Sequence, residues 1–318
     1  MNDSPRSGSG LARDPLPTTL FGRTGAVVTR LGFGAMELRA PGRDGLDRSA
    51  AKALLNAVLD AGINFIDTSP DYGESETLIG EAIGARRDEY FLATKCGCPV
   101  DPNSMDRNLH DFSRANVRRC VEESLRRLKT DRLDLVQVHL SPSRATLEQS
   151  GTLDELERLR GEGKVRFIGM SGVLPDLADH VAMHRFDAFQ IPYAATDLTH
   201  GEMIATAAAQ GAGVIVRGSV WRGLPHDRVG ALERMRRRVG RALGRGDVWQ
   251  RAGLDDVLGG MSVTELMVRF VLSNPAVSTT IVGTKRREHL DANVRAAARG
   301  PLPPDLHAEV LCRVAAAG

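Results

Sequence analysis

The stretch NFIDTSPDYGESE (64–76) sets a carboxylate and a phenol five residues apart, Asp67 and Tyr72, in a segment that begins like a strand. A phenol is a poor proton donor at neutral pH, with an unperturbed pKa of about 10. Two further residues change that prospect. Lys95 ends the apolar run FLAT (91–94), and His139 follows LDLVQV (133–138). The basic residues are nearly all Arg, and Lys occurs only at 52, 95, 129, 164 and 285, so a Lys closing an apolar run is informative. An ammonium beside Tyr72 would favour the phenolate and lower its pKa. Asp67 would keep that ammonium charged and oriented, because a lone buried cation is costly. His139 would hydrogen-bond a substrate oxygen or share in the proton transfer. The set makes Tyr72 a workable general acid toward a carbonyl oxygen. No Ser or Cys has an evident base partner, so the attacking species reads as a hydride from a nicotinamide cofactor. Taken singly, Asp67 could cap a helix, Tyr72 anchor a loop and His139 sit satisfied in a core. Four such residues at neighbouring strand ends argue for one shared site.

Positioning them needs a scaffold that gathers strand ends. Short aliphatic runs fall near 30–35, 64–68, 91–95, 133–139, 165–170, 188–192, 213–217 and 279–283. Segments with helical periodicity alternate with them, most clearly at 49–61, 74–85, 114–128, 146–162, 201–210, 263–273 and 286–297. In the third of these, Val117, Cys120, Val121, Ser124, Leu125 and Leu128 form one stripe opposite an Arg/Glu face. Eight strand–helix units predict an α/β fold, a closed (β/α)8 TIM barrel, in preference to an open doubly wound sheet. A barrel does its chemistry at the C-terminal strand ends. Asp67, Lys95 and His139 close the second, third and fourth strands, Ser171 closes the fifth, and Gln190 lies in the sixth. An N-terminal β-hairpin is expected around Arg23-Thr24-Gly25. Residues 1–16 read as a flexible polar tail and 17–318 as a single barrel domain. About 45 residues separate the seventh strand from the next helix, far more than an ordinary connection. This long loop carries Trp221, Trp249 and an Arg cluster (234, 236, 237, 238, 241, 245) and reads as a candidate lid. The Arg cluster itself reads as a solvated helix face or as a contact to cofactor phosphate.

Composition narrows the partners. The 318 residues carry a net charge of +2, which implies no polyanionic partner, and nucleic acid is not expected. No apolar run of about 18 residues appears and the N-terminus lacks an apolar signal segment, so a cytoplasmic protein without a membrane partner is expected. Cys96, Cys98, Cys120 and Cys312 make no CxxC or zinc-type spacing, so free thiols and no metal are expected. The oligomeric state is left open.

The cofactor signal is not a Rossmann fingerprint: Gly32-Phe33-Gly34 offers GxG, but Glu37 stands at the third Gly. TTIVGTKRREHLDAN (279–293) offers another device, a strand ending at Gly283 and a helix opening on Thr284, Lys285, Arg286 and Arg287. Helix N-termini with adjacent cations bind phosphate.

With these residues in hand, the chain resembles the aldo-keto reductases from about Leu20 to Ala297. The carrying segments are GFGAM (32–36), AGINFIDTSPDYGESETLIGEAI (61–83), FLATKCG (91–97), LKTDRLDLVQVH (128–139), GKVRFIGMSG (163–172), FDAFQIPY (186–193), VIVRGSV (214–220) and STTIVGTKRREHLDANV (278–294). The resemblance implies Tyr72 as proton donor, with Asp67, Lys95 and His139 completing a catalytic tetrad. It implies a cofactor lying across the barrel top, NADP(H) in preference to NAD(H). Ser171 and Gln190 would hold its carboxamide and Tyr193 would stack on the nicotinamide. Gly34, Met36, Arg217 and Ser219 would line its course. Gly283, Thr284, Lys285, Arg286, His289 and Asn293 would surround the adenosine phosphate end. Two departures stand out: Gly172 follows Ser171 where the family usually has Asn, and His289 stands at the usual Arg near the 2′-phosphate. Phe112 and Trp221 fall where a substrate pocket would be. The low aromatic content, 4%, leans toward a polar or sugar-like substrate. The expected activity is NAD(P)H-dependent reduction of an aldehyde or ketone. The alternatives are NAD(P)+-dependent oxidation of a sugar or alcohol on the same site, and a non-catalytic, cofactor-binding regulatory subunit.

Overall fold

The computed structural model describes residues 15–39, 47–99, 110–220 and 248–318. A two-stranded antiparallel hairpin, β1 (Thr18–Leu20) and β2 (Val27–Thr29), opens the fold. Eight parallel strands follow: β3 (Leu31–Gly34), β4 (Phe65–Asp67), β5 (Phe91–Cys96), β6 (Leu133–Val138), β7 (Val165–Ser171), β8 (Ala188–Pro192), β9 (Gly213–Arg217) and β10 (Thr279–Val282). They close in chain order, with β10 paired to both β9 and β3. The expected (β/α)8 barrel with its N-terminal hairpin is thus the fold, and each strand lies where its aliphatic run stands. Strands buried on both faces read as near-continuous apolar runs, which is why these were legible.

Two apolar layers build the core. Inside the barrel, Phe65, Phe91, Ala93, Leu135, Ala188 and Ile215 pack together, and Phe21 of the hairpin joins them from below. Phe21 lies 5.6 Å from the Phe65 ring and 5.3 Å from that of Phe91, at the N-terminal ends of their strands. The opposite strand faces meet the helices: α1 (Arg48–Asp60), α2 (Ser75–Ile83), α3 (Arg114–Leu128), α4 (Arg144–Ser150), α5 (Thr152–Gly161), α6 (Asp176–Ala182), α7 (Gly201–Ala209), α8 (Val248–Arg251), α9 (Val263–Leu272), α10 (Arg287–Ala298) and α11 (Pro304–Ala317). On α3 the expected stripe is buried except for Leu125, which is half-buried against the core.

The single helix expected over 146–162 is two, α4 and α5. Gly151 sits between them at φ 70°, in the left-handed region, where the helical ladder cannot continue. The helices α6, α8 and α11 were not among those most clearly expected. The first two are short, at 7 and 4 residues, and a periodic stripe does not register over so little chain. Of the tail expected over 1–16, residues 1–14 lie outside the described residues, as do Trp221 and the Arg cluster of the long loop, while Leu16 is buried against the core and belongs to the barrel domain.

Candidate active site

The inward parity of the strands raises a polar layer directly above the aromatic one. Register sets Lys95 beside Gln137, Gln137 beside Gly169, and Ser171 beside Gln190. Asp67 and Lys95 are each 1% exposed. Lys95 Nζ donates to Asp67 Oδ2 at 2.8 Å and to the Thr68 carbonyl at 2.8 Å. The other carboxylate oxygen, Oδ1, accepts from Gln137 Nε2 at 2.9 Å and Gln190 Nε2 at 2.8 Å. Burial works against the Lys95 charge, but Asp67, with Tyr72 and Asp71, holds its pKa above the ordinary lysine value. The ammonium is therefore permanent, and Asp67 is fixed from both sides.

The ammonium lies over the face of the Tyr72 ring, 4.7 Å from its centroid. Tyr72 reaches this position on a tight loop: its N–H donates to the Ser69 carbonyl, and its own carbonyl accepts from Ser75 N–H, each at 3.0 Å. Burial pushes the phenol above its usual pKa. Lys95 opposes that shift, and Asp67 and Asp71 add to it. The net direction is opposite to the lowering expected from Lys95 alone, because desolvation and two carboxylates outweigh one ammonium. In the resting site Tyr72 holds its proton firmly.

His139 follows β6 and is held neutral. Burial drives its pKa down to about 3, with Lys95, His110 and Arg217 adding to the effect and Asp71 opposing it. Its Nδ1 is 3.1 Å from Cys98 Sγ and 3.6 Å from Asp71 Oδ2. The Cys98 thiol stays protonated, since burial and then Asp71 raise its pKa well above the usual value. A thiol donating to Nδ1 leaves the ring proton on Nε2, available to an oxygen acceptor.

The remaining expected residues divide. Ser171 Oγ donates to Gln190 Oε1 at 3.1 Å, and each amide atom of Gln190 keeps one further hydrogen-bonding position for a carboxamide. Arg217 ends β9 on the inward parity, and its charge reaches His139. Ser219 is buried with its hydroxyl 2.9 Å from Thr280 Oγ1. Met36 is 43% exposed, just past Gly34, the residue paired with Asp67. Gly283 is pressed against this same edge: a Cβ there would stand 2.6 Å from the Gly34 carbonyl. Thr284 and Asn293 are buried, Arg286 and His289 are exposed, and the N-cap residue of α10, Arg286, makes no side-chain cap hydrogen bond. This cationic helix start suits a phosphate group. Phe112 packs against Gly97, and its ring centroid is 6.2 Å from that of His110. Tyr193 is a correction. The parity that turns Gln190 inward turns Tyr193 outward, where its buried ring stacks on Phe270 at 5.7 Å between barrel and helices. It does not reach the mouth, and Arg217 is the inward residue on the neighbouring strand.

Several residues of this layer were not foreseen. Gln137 was legible as an amide inside an apolar strand, two residues before His139 and therefore on the same face. Asp71 stood next to Tyr72. Cys98 and His110 carried no usable spacing, because the fold alone brings them to His139.

Residues 30–311 match the model of the Aldo/keto reductase family. The chain belongs to this family, whose members use nicotinamide cofactors. It is 29% identical over 285 residues to the uncharacterized oxidoreductase YqkF of Bacillus subtilis, covering 87% of this chain and 90% of that protein. It is also 29% identical over 294 residues to L-galactose dehydrogenase of Arabidopsis thaliana, covering 87% and 86% respectively. Among solved structures, the holo form of aldo-keto reductase AKR11C1 from Bacillus halodurans superposes with a TM-score of 0.79 at 26% identity, covering 94% of this chain and 96% of that one.

Proposed function

We propose that the protein is an NAD(P)H-dependent reductase of an aldehyde or ketone, with Tyr72 as its proton donor. The observation that carries this reading is the buried Asp67–Lys95 pair with its ammonium over the Tyr72 ring. The bound cofactor supplies a hydride to the carbonyl carbon. Tyr72 Oη gives its proton to the carbonyl oxygen in the same event. The phenol is reluctant at rest, so the catalytic contribution of Lys95 comes as negative charge develops on Tyr72, with an ammonium already in place. Asp67 keeps that ammonium charged, and Gln137 and Gln190 keep Asp67 aimed. His139 donates Nε2–H to the substrate oxygen and takes no part as an acid.

Ser171 and Gln190 hold the carboxamide, with Gly34, Met36, Arg217 and Ser219 along the cofactor's course. Gly283, Thr284, Lys285, Arg286, His289 and Asn293 receive the adenosine phosphate end, and NADP(H) is favoured over NAD(H). Phe112 lines the substrate pocket; Trp221 falls outside the described residues. The working unit is one domain over 16–318. Three buried thiols free of disulfides, Cys96, Cys98 and Cys120, are in keeping with the cytoplasm.

The test is Tyr72→Phe, assayed for cofactor oxidation over a panel of aldehydes and ketones. Turnover should fall by about two to four orders of magnitude, with cofactor affinity kept. Activity near that of the wild type would remove Tyr72 from the role. The similarity to L-galactose dehydrogenase along most of both chains favours a second reading, oxidation of a sugar by NAD(P)+ on the same residues. Cofactor reduction over a sugar panel decides between the directions.

A further inference from the structure

We propose that Asp71, Cys98, His110 and His139 form a binding site for a divalent cation of the Zn2+ class at the rim of the barrel mouth. Each brings one ligand-type atom, and all four atoms lie within 4.8 Å of one another. Four chain segments contribute: the loop after β4, the end of β5, the segment before α3 and the end of β6. The set is one sulfur, one carboxylate oxygen and two imidazole nitrogens, which is four-coordinate zinc chemistry. Ligand atoms on a zinc tetrahedron stand roughly 3.3–3.8 Å apart, given bond lengths of about 2.0–2.3 Å. The Cys98 Sγ–His139 Nδ1 distance of 3.1 Å and the His139 Nδ1–Asp71 Oδ2 distance of 3.6 Å are close to that spacing. The His110 ring stands edge-on to His139, centroids 5.5 Å apart.

The surroundings hold these donors in place. Cys98 is fully buried, and its carbonyl accepts from Asn116 Nδ2 at 3.3 Å and from the Cys120 thiol at 3.2 Å. Ser69 Oγ donates to Asp71 Oδ1, leaving Oδ2 on the His139 side. Such outer hydrogen bonds orient metal ligands. Asp71, His110 and His139 are only half-buried, so a cation can enter from the mouth. Binding replaces the Cys98 S–H bond with a sulfur–metal bond and releases one proton to water. Thiolate and carboxylate then balance the 2+ charge, and both imidazoles remain neutral. Sulfur and nitrogen donors select against Mg2+ and Ca2+. The proton release makes affinity rise with pH. A metal on Nδ1 of His139 leaves the ring proton on Nε2.

The inference stands apart from the reductase reading and is tested without turnover. The full chain carrying Cys312→Ser, which removes the exposed thiol, is stripped with a chelator and titrated with Co2+. The expected result is one equivalent bound, tetrahedral d–d absorption, a thiolate-to-cobalt charge-transfer band, and displacement by Zn2+. Cys98→Ser should abolish the charge-transfer band. His110→Ala should keep the band and weaken Co2+ binding by about tenfold or more. Far-UV circular dichroism checks that each variant folds, and His110→Ala carries the test if Cys98→Ser does not. No Co2+ uptake at roughly millimolar metal, a charge-transfer band that survives Cys98→Ser, or binding indifferent to His110→Ala would overturn the proposal.

Discussion

At His139 burial decides the protonation state. The residue binds a proton only below about pH 3 in the fold, because it is desolvated and faces Lys95 and Arg217. An unfolded imidazole binds one near 6.5. Between those values the unfolded chain carries a proton that the folded chain refuses. The His139 contribution to stability is therefore greatest above about 6.5 and falls as pH drops through that window. Urea unfolding at about pH 7 and 5.5 should show a larger loss of midpoint in the wild type than in His139→Gln. An equal loss in both would mean that His139 titrates normally. For the same reason, carbonyl reduction should show no inflection near 6.5, and should fall only as Tyr72 loses its proton, above about 10. Asp67, Lys95 and His139 were legible because each is a chemically odd choice at the end of an apolar run, and Tyr72 because it follows Asp67 on the adjoining loop. The direction of the Tyr72 shift was not, since it is a sum over desolvation and charges that only the packed site defines.

At the scale of elements, strand positions were legible because each strand is buried on both faces, and one-sided helices showed their stripes. What parity decides was only partly read: Tyr193 follows Gln190 by three residues, so the two must point to opposite faces. The break at Gly151 was hidden because the apolar spacing runs across it. The start of α10 carries the cofactor expectation. Lys285 and exposed Arg286 stand at its N-terminus, where the N-cap residue makes no side-chain cap hydrogen bond. A charge-assisted hydrogen bond is worth about 1.5–3 kcal/mol, or roughly tenfold to a hundredfold in affinity. Lys285→Ala and Arg286→Ala should each weaken NADPH binding by about that much and leave NADH nearly unchanged. Fluorescence titration of both cofactors measures it. Equal losses for the two would remove these side chains from 2′-phosphate recognition.

Across the whole molecule, the barrel separates what holds it together from what it does. The lower interior is aromatic: Phe21 is fully buried under Phe65 and Phe91, with Phe91 stacked 6.2 Å from Phe167. The upper interior is polar and carries Asp67, Lys95, Gln137 and Gln190. Because parallel strands run from one layer to the other, stability and chemistry draw on the same strands but on different ends of them. The lower ends are also tied by charge: Asp134 accepts from Arg87 at 2.5 Å, Arg166 at 2.7 Å and the Leu92 N–H at 2.9 Å. Phe21→Ala should therefore cost about 3–5 kcal/mol of stability, the usual price of emptying a buried aromatic site. The hairpin that carries Phe21 lies at the far end of the strands from Tyr72, so turnover at low temperature should stay within about twofold of the wild type. Tyr72→Phe should do the reverse, sparing the unfolding midpoint and removing turnover. Chemical denaturation and initial rates on the same two preparations make the comparison. A Phe21→Ala protein that is folded but slow would mean that the aromatic layer sets the geometry of the polar layer above it.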